Sequence, residues 1–382
     1  MKIGIDCRNI LNVPQGEKAG VGHYNYYLVK KLLQIDKKNQ YVLFFDHRFP
    51  DPKEFRKKNT KILHFPWSQY KKYLPIGYSH YFVAKLIEKE KLDVFHAPAN
   101  TLPLSYHGKT VVTVHDLAIY RHPEWFPAKQ NFAVKISVPK SILKANALIA
   151  VSESTKKDIV AHFKIPKNKI KVIYEGFEKE KKISEKFTKK TKRKYKIGEH
   201  FVFCLSTLEP RKNMEKLIHT FDELAADNFK KYQDCQLIIA GAKGWRYAPI
   251  FKAIKNAKCG RIRYLGYLTK QEKLSLLSSA DCFCFPSLWE GFGLPVLEAM
   301  AMGTPVIVSK TSSLPEIVQK AGILINPLNT NSIKKGLVKF LKNKRNRKIY
   351  SKKSIKQARK FTWEKCARET LRVYKSLCRR HL

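Results

Sequence analysis

The stretch LWEGFGLPVLEAMAMGTPVIVS, Leu288 to Ser309, decides how the rest of the chain is read. It follows a short apolar run, Cys282 to Phe285, of strand length and composition. A turn with Gly291 and Gly293 comes next, then a helix expected to begin near Leu294 or Pro295, then another apolar run from Pro305 to Val308. Strand, turn, helix and strand in that order form the repeating unit of a parallel α/β sheet. Pro295 suits a first helical turn, where its missing N–H costs nothing. In open parallel sheets ligands bind beyond the carboxyl ends of the strands, and a helix N-terminus offers unpaired N–H groups with about half a positive charge. Glu290 falls on the loop and Glu298 about one turn inside the helix, so two carboxylates can bracket one ligand there.

Outward from that segment the pattern repeats. Apolar, β-rich runs occur in the first half at Lys2 to Asp6, Tyr41 to Phe45, Val94 to His96, Thr110 to His115, Leu148 to Val151 and Lys171 to Tyr174. In the second half they occur at Phe201 to Ser206, Gln236 to Ala240, Ile262 to Leu265, Cys282 to Phe285, Pro305 to Val308 and Gly322 to Ile325. Longer helical patterns separate them, so two doubly wound sheets are predicted. The length of 382 residues agrees, because a single core usually stops growing at roughly 250 to 300 residues. The predicted division is a first domain over 1–178, a basic linker over 179–198, a second domain over 199–345 and terminal helices over 346–382. Residues 179–196 carry ten Lys or Arg against two Glu with little apolar periodicity, which reads as an exposed linker. The tail keeps apolar residues at helical spacing, among them Ile355, Trp363, Cys366, Leu371 and Tyr374.

Hydrophobic residues make up 44% of the chain and aromatics 12%, which excludes wholesale disorder. The 75 Lys and Arg against 31 Asp and Glu leave a net charge of +44. Such a balance favours anionic partners, whether nucleic acid, a membrane surface or phosphorylated small molecules, although a lysine-rich composition throughout a proteome accounts for it equally well. A nucleic-acid reading has Tyr70, Tyr73 and Tyr78 beside Lys71 and Lys72 in its favour, but no recognised nucleic-acid motif. The eight cysteines include no Cys-x-x-Cys pair, so buried free thiols in a reducing cytoplasm are expected. Cys282 and Cys284 point to one strand face, where burial is the expected role rather than metal binding. Met1 runs directly into a strand, without the charged and apolar regions of a signal peptide. No stretch of about 18 apolar residues is present. The expectation is a cytoplasmic protein able to sit on the inner face of the plasma membrane.

A second segment, FVFCLSTLEPRKNMEKLI from Phe201, delivers Glu209, Pro210, Arg211, Lys212 and Asn213 to a strand end just before a helix. Together with Glu290 and Glu298, seven residues of spacing apart, this EPRKN run resembles the family 4 retaining glycosyltransferases, whose E-x7-E signature it matches. The resemblance covers nearly the whole chain. It implies a GT-B fold, two Rossmann-like domains facing each other across a cleft with the last helix returning to the first domain. It also implies that Glu290 lies by the donor sugar hydroxyls, that Glu298 contacts the nucleotide ribose, and that the loop amides of Gly291, Phe292, Gly293 and Leu294 meet sugar and diphosphate. Arg211 and Lys212 would hold the diphosphate, offsetting the charge that grows on the leaving group. They would stand in for a metal ion; no Asp-x-Asp occurs in the sequence, and neither metal nor cofactor is expected beyond the nucleotide-sugar substrate.

In the first half, TVVTVHDLAIY ends a strand with His115 and Asp116, a pair able to bind hydroxyls or move a proton. A lone histidine of this kind is more often structural; the resemblance is what places it near the donor sugar. The loop after the first strand, with Gly16, Gly20, Val21, Gly22, His23 and Tyr24 just before a helix, is similar to the family's glycine-rich loop below the donor phosphates. Ser152 reads as a helix N-cap. Gly266 and Tyr267 follow another strand in the region where the family reads the nucleobase through main-chain groups. The implied reaction transfers a hexose with retention of configuration, GDP-mannose standing first among the donors and a UDP-sugar next. The implied acceptor is a saccharide or lipid-linked saccharide in cell-surface polysaccharide assembly, at an anionic membrane face. A soluble sugar acceptor, as in sucrose- or trehalose-type synthases, is the nearer alternative, and a basic nucleic-acid-binding protein the more distant one.

Overall fold

Strand β1, Lys2–Asp6, carries Ile3 and Ile5 on one face and Gly4 on the other, and its interior is fully enclosed. Strands buried on both faces need helices on both faces, which is the condition for parallel pairing. The computed structural model meets it twice. It describes residues 1–10, 20–49, 51–65, 78–127, 133–178, 183–226 and 234–379, which form two compact units: Met1–Arg121, Ala128–Gly176 and Thr362–Leu382 make the first, and His122–Pro127 with Phe177–Phe361 the second. Gly16 and the Tyr70–Lys72 cluster with Tyr73 lie outside the described residues.

The first unit holds a seven-stranded sheet in the order β3-β2-β1-β4-β5-β6-β7, parallel throughout. Its further strands are β2 Gln40–Asp46, β3 Thr60–Phe65, β4 Val94–Ala97, β5 Thr110–Val114, β6 Ala147–Ala150 and β7 Ile170–Val172. Its helices include α1 Gly20–Ile35, α2 Val83–Glu88, α3 Val138–Lys144 and α4 Glu153–Phe163. Strand β3 was not anticipated: it lies on the sheet edge, and its sequence TKILHF has only one fully buried residue. The glycine loop also differs from expectation. Gly20 and Gly22 are already in the first turn of α1, so the segment from Gly20 to Tyr24 is helix and not the loop preceding one. Gly22, Tyr24 and Asn25 face inward there, and burial of Tyr24 and Leu28 against the unit rewards the earlier helix start.

The terminal helix α12, Trp363–Arg379, belongs to this first unit. It buries Trp363, Cys366, Ala367, Thr370, Val373 and Tyr374, a stripe at helical period. Trp363 stacks on Tyr27 of α1 with centroids 5.5 Å apart and planes 10° from parallel. Within the sheet, His96 bonds Tyr374 through Nδ1 at 2.6 Å and Thr113 through Nε2 at 2.8 Å. Burial, helped by the charge of His115, pushes its pKa down to about 3, so the ring is neutral.

The second unit holds six parallel strands in the order β10-β9-β8-β11-β12-β13. These are β8 Phe201–Leu205, β9 Gln236–Ala240, β10 Ile262–Tyr264, β11 Cys282–Phe285, β12 Val306–Ser309 and β13 Ile323–Ile325. The residues expected to form an exposed linker are different in kind. Glu185–Lys194 is a helix, α5, capped by Ser184 accepting from the Phe187 amide. It packs against α8, Lys270–Ser279, where Lys194 meets Glu272 at 2.6 Å. The charge run is the solvated face of a docked helix whose inner side carries Thr191. Further helices are α6 Met214–Ala226, α7 Ala248–Asn256, α9 Leu294–Ala301, α10 Thr330–Leu341 and α11 Lys344–Ala358, with a short helical turn at Leu314–Val318. The predicted tail therefore divides, α11 staying with the second unit and α12 joining the first. All eight cysteines are free; Cys282 and Cys284 are wholly enclosed, with burial pushing both thiols well up.

Candidate functional site

Strand order reverses in the second sheet between β8 and β11, on either side of which successive strands run outward. That is the place where an open α/β sheet leaves a crevice at its carboxyl edge. The segments leaving these two strands are the two singled out from sequence, Glu209–Asn213 after β8 and Leu288–Gly293 after β11. They are bound to one another: the Leu288 amide donates to the Arg211 carbonyl at 2.7 Å, and the Asn213 side chain donates to the carbonyls of Pro286 and Pro327 at 3.2 and 2.8 Å.

Four charges meet here. Lys212 Nζ lies 2.6 Å from Glu290 Oε1 and 3.9 Å from Glu209, and Arg211 pairs with Glu209 while its Nη1 stands 3.9 Å from Glu290 Oε2. All four are largely enclosed, Glu290 being 7% exposed and Lys212 also 7%. Burial alone would push the Glu290 carboxyl up, but Lys212 and Arg211 outweigh it and hold the carboxyl below its ordinary range. Glu290 is therefore an anion at neutral pH. The cluster contains two cations and two carboxylates, so Arg211 and Lys212 do not stand alone as an anion trap.

The Leu288–Gly293 loop is fixed from behind by a serine-threonine run with no sequence signature of its own. Ser312 Oγ accepts from the Glu290 amide at 3.0 Å, Ser313 Oγ faces the carbonyls of Glu290 and Phe292 at 3.0 and 2.8 Å, and Thr311 Oγ1 donates to the Leu288 carbonyl at 3.0 Å. Gly293 closes the loop with φ at +107°, and a Cβ there would fall 2.8 Å from Leu314. That conformation lets α9 begin at Leu294 with Pro295 in its first turn. Glu298 sits one turn in and bonds Lys273 of α8 at 2.5 Å, a partner that sequence reading did not identify. Beside the loop, Gly266 has φ at +75° and its carbonyl accepts from the Gly241 amide at 2.8 Å, while Tyr267 is half exposed.

The strap His122–Pro127 is the other feature missed. Sequence assigned it to the first domain, yet it is part of the second unit. Trp245 Nε1 donates to the Trp125 carbonyl at 2.7 Å, His122 stacks on Trp125 at 4.0 Å, and His122 lies 6.4 Å from Trp289, next to Glu290. Its density of aromatic and proline residues, HPEWFP, is the one signal that could have marked it.

In the first unit, His115 follows directly on β5 and is 8% exposed. Its Nε2 stands 2.8 Å from the Pro98 carbonyl and its Nδ1 3.2 Å from Glu175 Oε1. Both neighbours offer acceptor oxygens, so the ring is held between two oxygens whichever nitrogen carries the proton. Tyr24 meets the ring edge-on at 4.7 Å and the Asn100 side chain accepts from the His115 amide at 2.8 Å. Asp116 turns back on its own chain, accepting from the Ala118 amide at 2.5 Å. Ser152 is the N-cap of α4, accepting from the Thr155 amide at 3.0 Å, as read from sequence. Glu175 was not among the expected site residues, since nothing in Y-E-G-F marks a carboxylate sixty positions away as a histidine partner. Among the described residues no group of three or more His, Cys, Asp or Glu is arranged to hold a metal ion.

Comparison with known proteins follows this division. The profile of the Glycosyl transferases group 1 family matches residues 184–360, and that of Glycosyltransferase Family 4 matches residues 19–181. The chain is 28% identical over 373 residues to the O-antigen chain mannosyltransferase B of Escherichia coli, covering 94% of this chain and 96% of that one. It is 27% identical over 230 residues to the O-antigen chain mannosyltransferase RfbU of Salmonella typhimurium, covering 60% and 59%. The structure of Anabaena Alr3699/HepE with UDP and glucose superposes with a TM-score of 0.73 at 18% identity, covering 98% of this chain and 100% of that one.

Proposed function

This chain belongs to the family 4 glycosyltransferases of GT-B type, and from that premise we propose that it transfers mannose from GDP-mannose, with retention, in cell-surface polysaccharide assembly. The similarity to two O-antigen mannosyltransferases supports the sugar and the setting. The observation that carries the site is the buried Glu290 carboxylate, kept anionic by Lys212 at the point where strand order reverses. An ionised carboxylate at the carboxyl edge offers several lone pairs to vicinal sugar hydroxyls. Glu298, one turn into α9, serves the ribose hydroxyls in the same way. Diphosphate between them is met by the amides of Gly291 to Leu294 and by Arg211 and Lys212, and Gly266 and Tyr267 border the base. Departure of the nucleoside diphosphate is assisted by these charges, with no metal required. For His115 and Asp116 the resemblance supports a role towards the donor sugar, His115 by its ring and Asp116 by fixing the turn that follows it. The acceptor is a saccharide on a lipid carrier.

The reading is tested by thermal unfolding with GDP, UDP, ADP and their sugars. GDP-mannose at about a hundred times its dissociation constant adds about 2.7 kcal/mol of stability. Stabilisation by UDP-sugars alone overturns the donor, and stabilisation by none overturns the site.

A further inference from the structure

Three loops leave the neighbouring strands β9, β8 and β11 at the carboxyl edge of the second sheet, and aromatic rings connect them. After β8, the Leu208 amide donates to the Ala242 carbonyl at 2.9 Å and the Leu208 carbonyl accepts from the Gly244 amide at 3.0 Å, which holds the loop after β9 against the run leading to Glu209. Gly244 permits that approach, since a Cβ there would fall 2.7 Å from the Leu208 carbonyl oxygen. Trp245 comes next. Its Nε1 donates to the Trp125 carbonyl at 2.7 Å, Arg246 donates to the Glu124 carbonyl, and Phe126 lies 5.6 Å from the Trp245 ring. Within the strap His122–Pro127, His122 stacks on Trp125 with centroids 4.0 Å apart and planes 15° from parallel, and it comes within 6.4 Å of Trp289 on the loop after β11.

All five rings, His122, Trp125, Phe126, Trp245 and Trp289, are half-buried. Tyr247 and Phe251 pack against the core of the second unit, whereas Trp245 turns to the strap. The strap is also poor in charge for this chain: 75 of 382 residues are Lys or Arg, yet HPEWFP has none. The cations at its borders are engaged elsewhere. Arg121 Nε bonds Asp158 at 2.8 Å, Arg246 is tied to the Glu124 carbonyl, and the Lys243 ammonium lies 5.3 and 5.0 Å from the ring centres of Tyr247 and Phe251. Such a surface is poorly matched to phosphate headgroups or nucleic acid, which are drawn by lysine and arginine. It is well matched to a neutral ligand with apolar C–H faces between its hydroxyls.

We propose that Trp125, His122 and Trp289, supported by Phe126 and Trp245, form a stacking platform for a neutral pyranose ring of the acceptor saccharide. An aromatic face carries negative charge density and receives the weakly positive hydrogens on the C–H face of a sugar. The sugar hydroxyls stay at the ring edges, where water or side chains serve them. Position fits the role. Trp289 immediately precedes Glu290, so a sugar stacked there begins one residue from the carboxylate assigned to the donor sugar. By chain order the strap falls in the half expected to hold the acceptor, but its bonds are to Trp245 and Arg246. The second unit therefore carries acceptor contacts as well as donor ones. The inference deepens the proposed function and rests on its reading of the acceptor as a saccharide.

The test is calorimetric titration of the full chain with mannotriose, maltotriose and chitobiose, without donor. At least one of these neutral oligosaccharides binds the wild-type protein. Trp125→Leu keeps the apolar bulk and the main-chain carbonyl that Trp245 needs, and it weakens that saccharide by about tenfold. Trp125→Phe, which restores a ring, recovers most of the loss. Tyr81→Leu, the same kind of change at an exposed aromatic of the first unit, stays within about twofold of wild type. Binding of none of the three saccharides, wild-type affinity in Trp125→Leu, or equal loss in Tyr81→Leu overturns the proposal, as does a protein that self-associates through the strap and loses this on Trp125→Leu. Thermal shifts with nucleotides are measured on the same variants. An unchanged shift in Trp125→Leu certifies the fold and the donor site, so loss of saccharide binding alone reports on the platform. Saccharide binding without any nucleotide shift would leave the platform standing and overturn the donor reading instead.

Discussion

Replacing Lys212 by methionine leaves the buried Glu290 carboxylate without its nearest cation. At an effective dielectric of about 20, charges 2.6 Å apart attract by roughly 6 kcal/mol and charges 3.9 Å apart by roughly 4 kcal/mol. These are gross energies, set against the desolvation of each ion. Because Arg211 still faces Glu290, though shared with Glu209, the expected loss is near the lower end of the range for breaking a buried pair, about 3 kcal/mol. That is a large part of a typical stability of about 5–15 kcal/mol. Glu290→Gln in the Lys212→Met background removes the stranded charge, so the double variant recovers about 2 kcal/mol, a coupling measured by a four-member cycle in urea followed by fluorescence. The sign with pH is fixed as well. The folded Glu290 carboxyl is held below its ordinary range, so its contribution is present above pH 4.5 and is lost as pH falls through the depressed folded value. The gap between wild type and Lys212→Met therefore narrows on acidification. A loss below about 1 kcal/mol, or a cycle with no coupling, refutes the account of a charge held by its partner.

Other consequences are as definite. Glu175→Leu frees the His115 ring and lowers kcat/KM by about a hundredfold through misplacement, while Glu175→Gln, which keeps an acceptor, recovers part of it and changes the pH profile; equal effects of both would count against positioning. Glu298→Ala removes most of the thermal shift given by the cognate nucleotide and lowers the stability of the free protein by about 1 kcal/mol, the size expected for its partly exposed pair with Lys273. Thr269→Ala breaks the capping box of α8, in which the Thr269 hydroxyl and amide serve Glu272, and costs about 1 kcal/mol at neutral pH. Burial pushes the Glu272 carboxyl up, but Lys194 and Thr269 bring it down to about 2. The Thr269→Ala deficit, read by thermal unfolding, shrinks as pH drops from 4.5 toward that value.

Much of the second unit was legible because its signals are local. The strand, glycine turn and Pro295 of Leu288–Ser309 fix the loop and the helix start from adjacent residues, and the observed α9 begins at Leu294. The EPRKN run was legible for the same reason. What escaped depends on partners distant in sequence. Lys273 reaches Glu298 from the preceding helix, Ser312 and Ser313 hold the loop from beyond β12, and Glu175 meets His115 across sixty residues. The basic run at 179–196 misled because a docked helix with one buried threonine differs little in composition from a linker. The strap His122–Pro127 escaped because chain continuity assigns it to the first domain, whereas its bonds are to Trp245 and Arg246 of the second.

The charge balance shows how far composition and site can diverge. A net charge of +44 suggests a site that draws anions by excess lysine. At the carboxyl edge of β8 and β11 the opposite holds: Glu209 and Glu290 neutralise Arg211 and Lys212 pair by pair. A diphosphate entering there must compete with carboxylates for each cation. On the proposed reading, such a site favours a ligand that supplies hydroxyls for Glu290 and Glu298 along with its phosphates over a bare polyanion. Nucleotide-sugar has both sets of groups and nucleic-acid backbone does not present them in that order. Local pairing thus balances charge at this edge in a chain that is basic throughout, which is the pattern that the proposed donor site calls for.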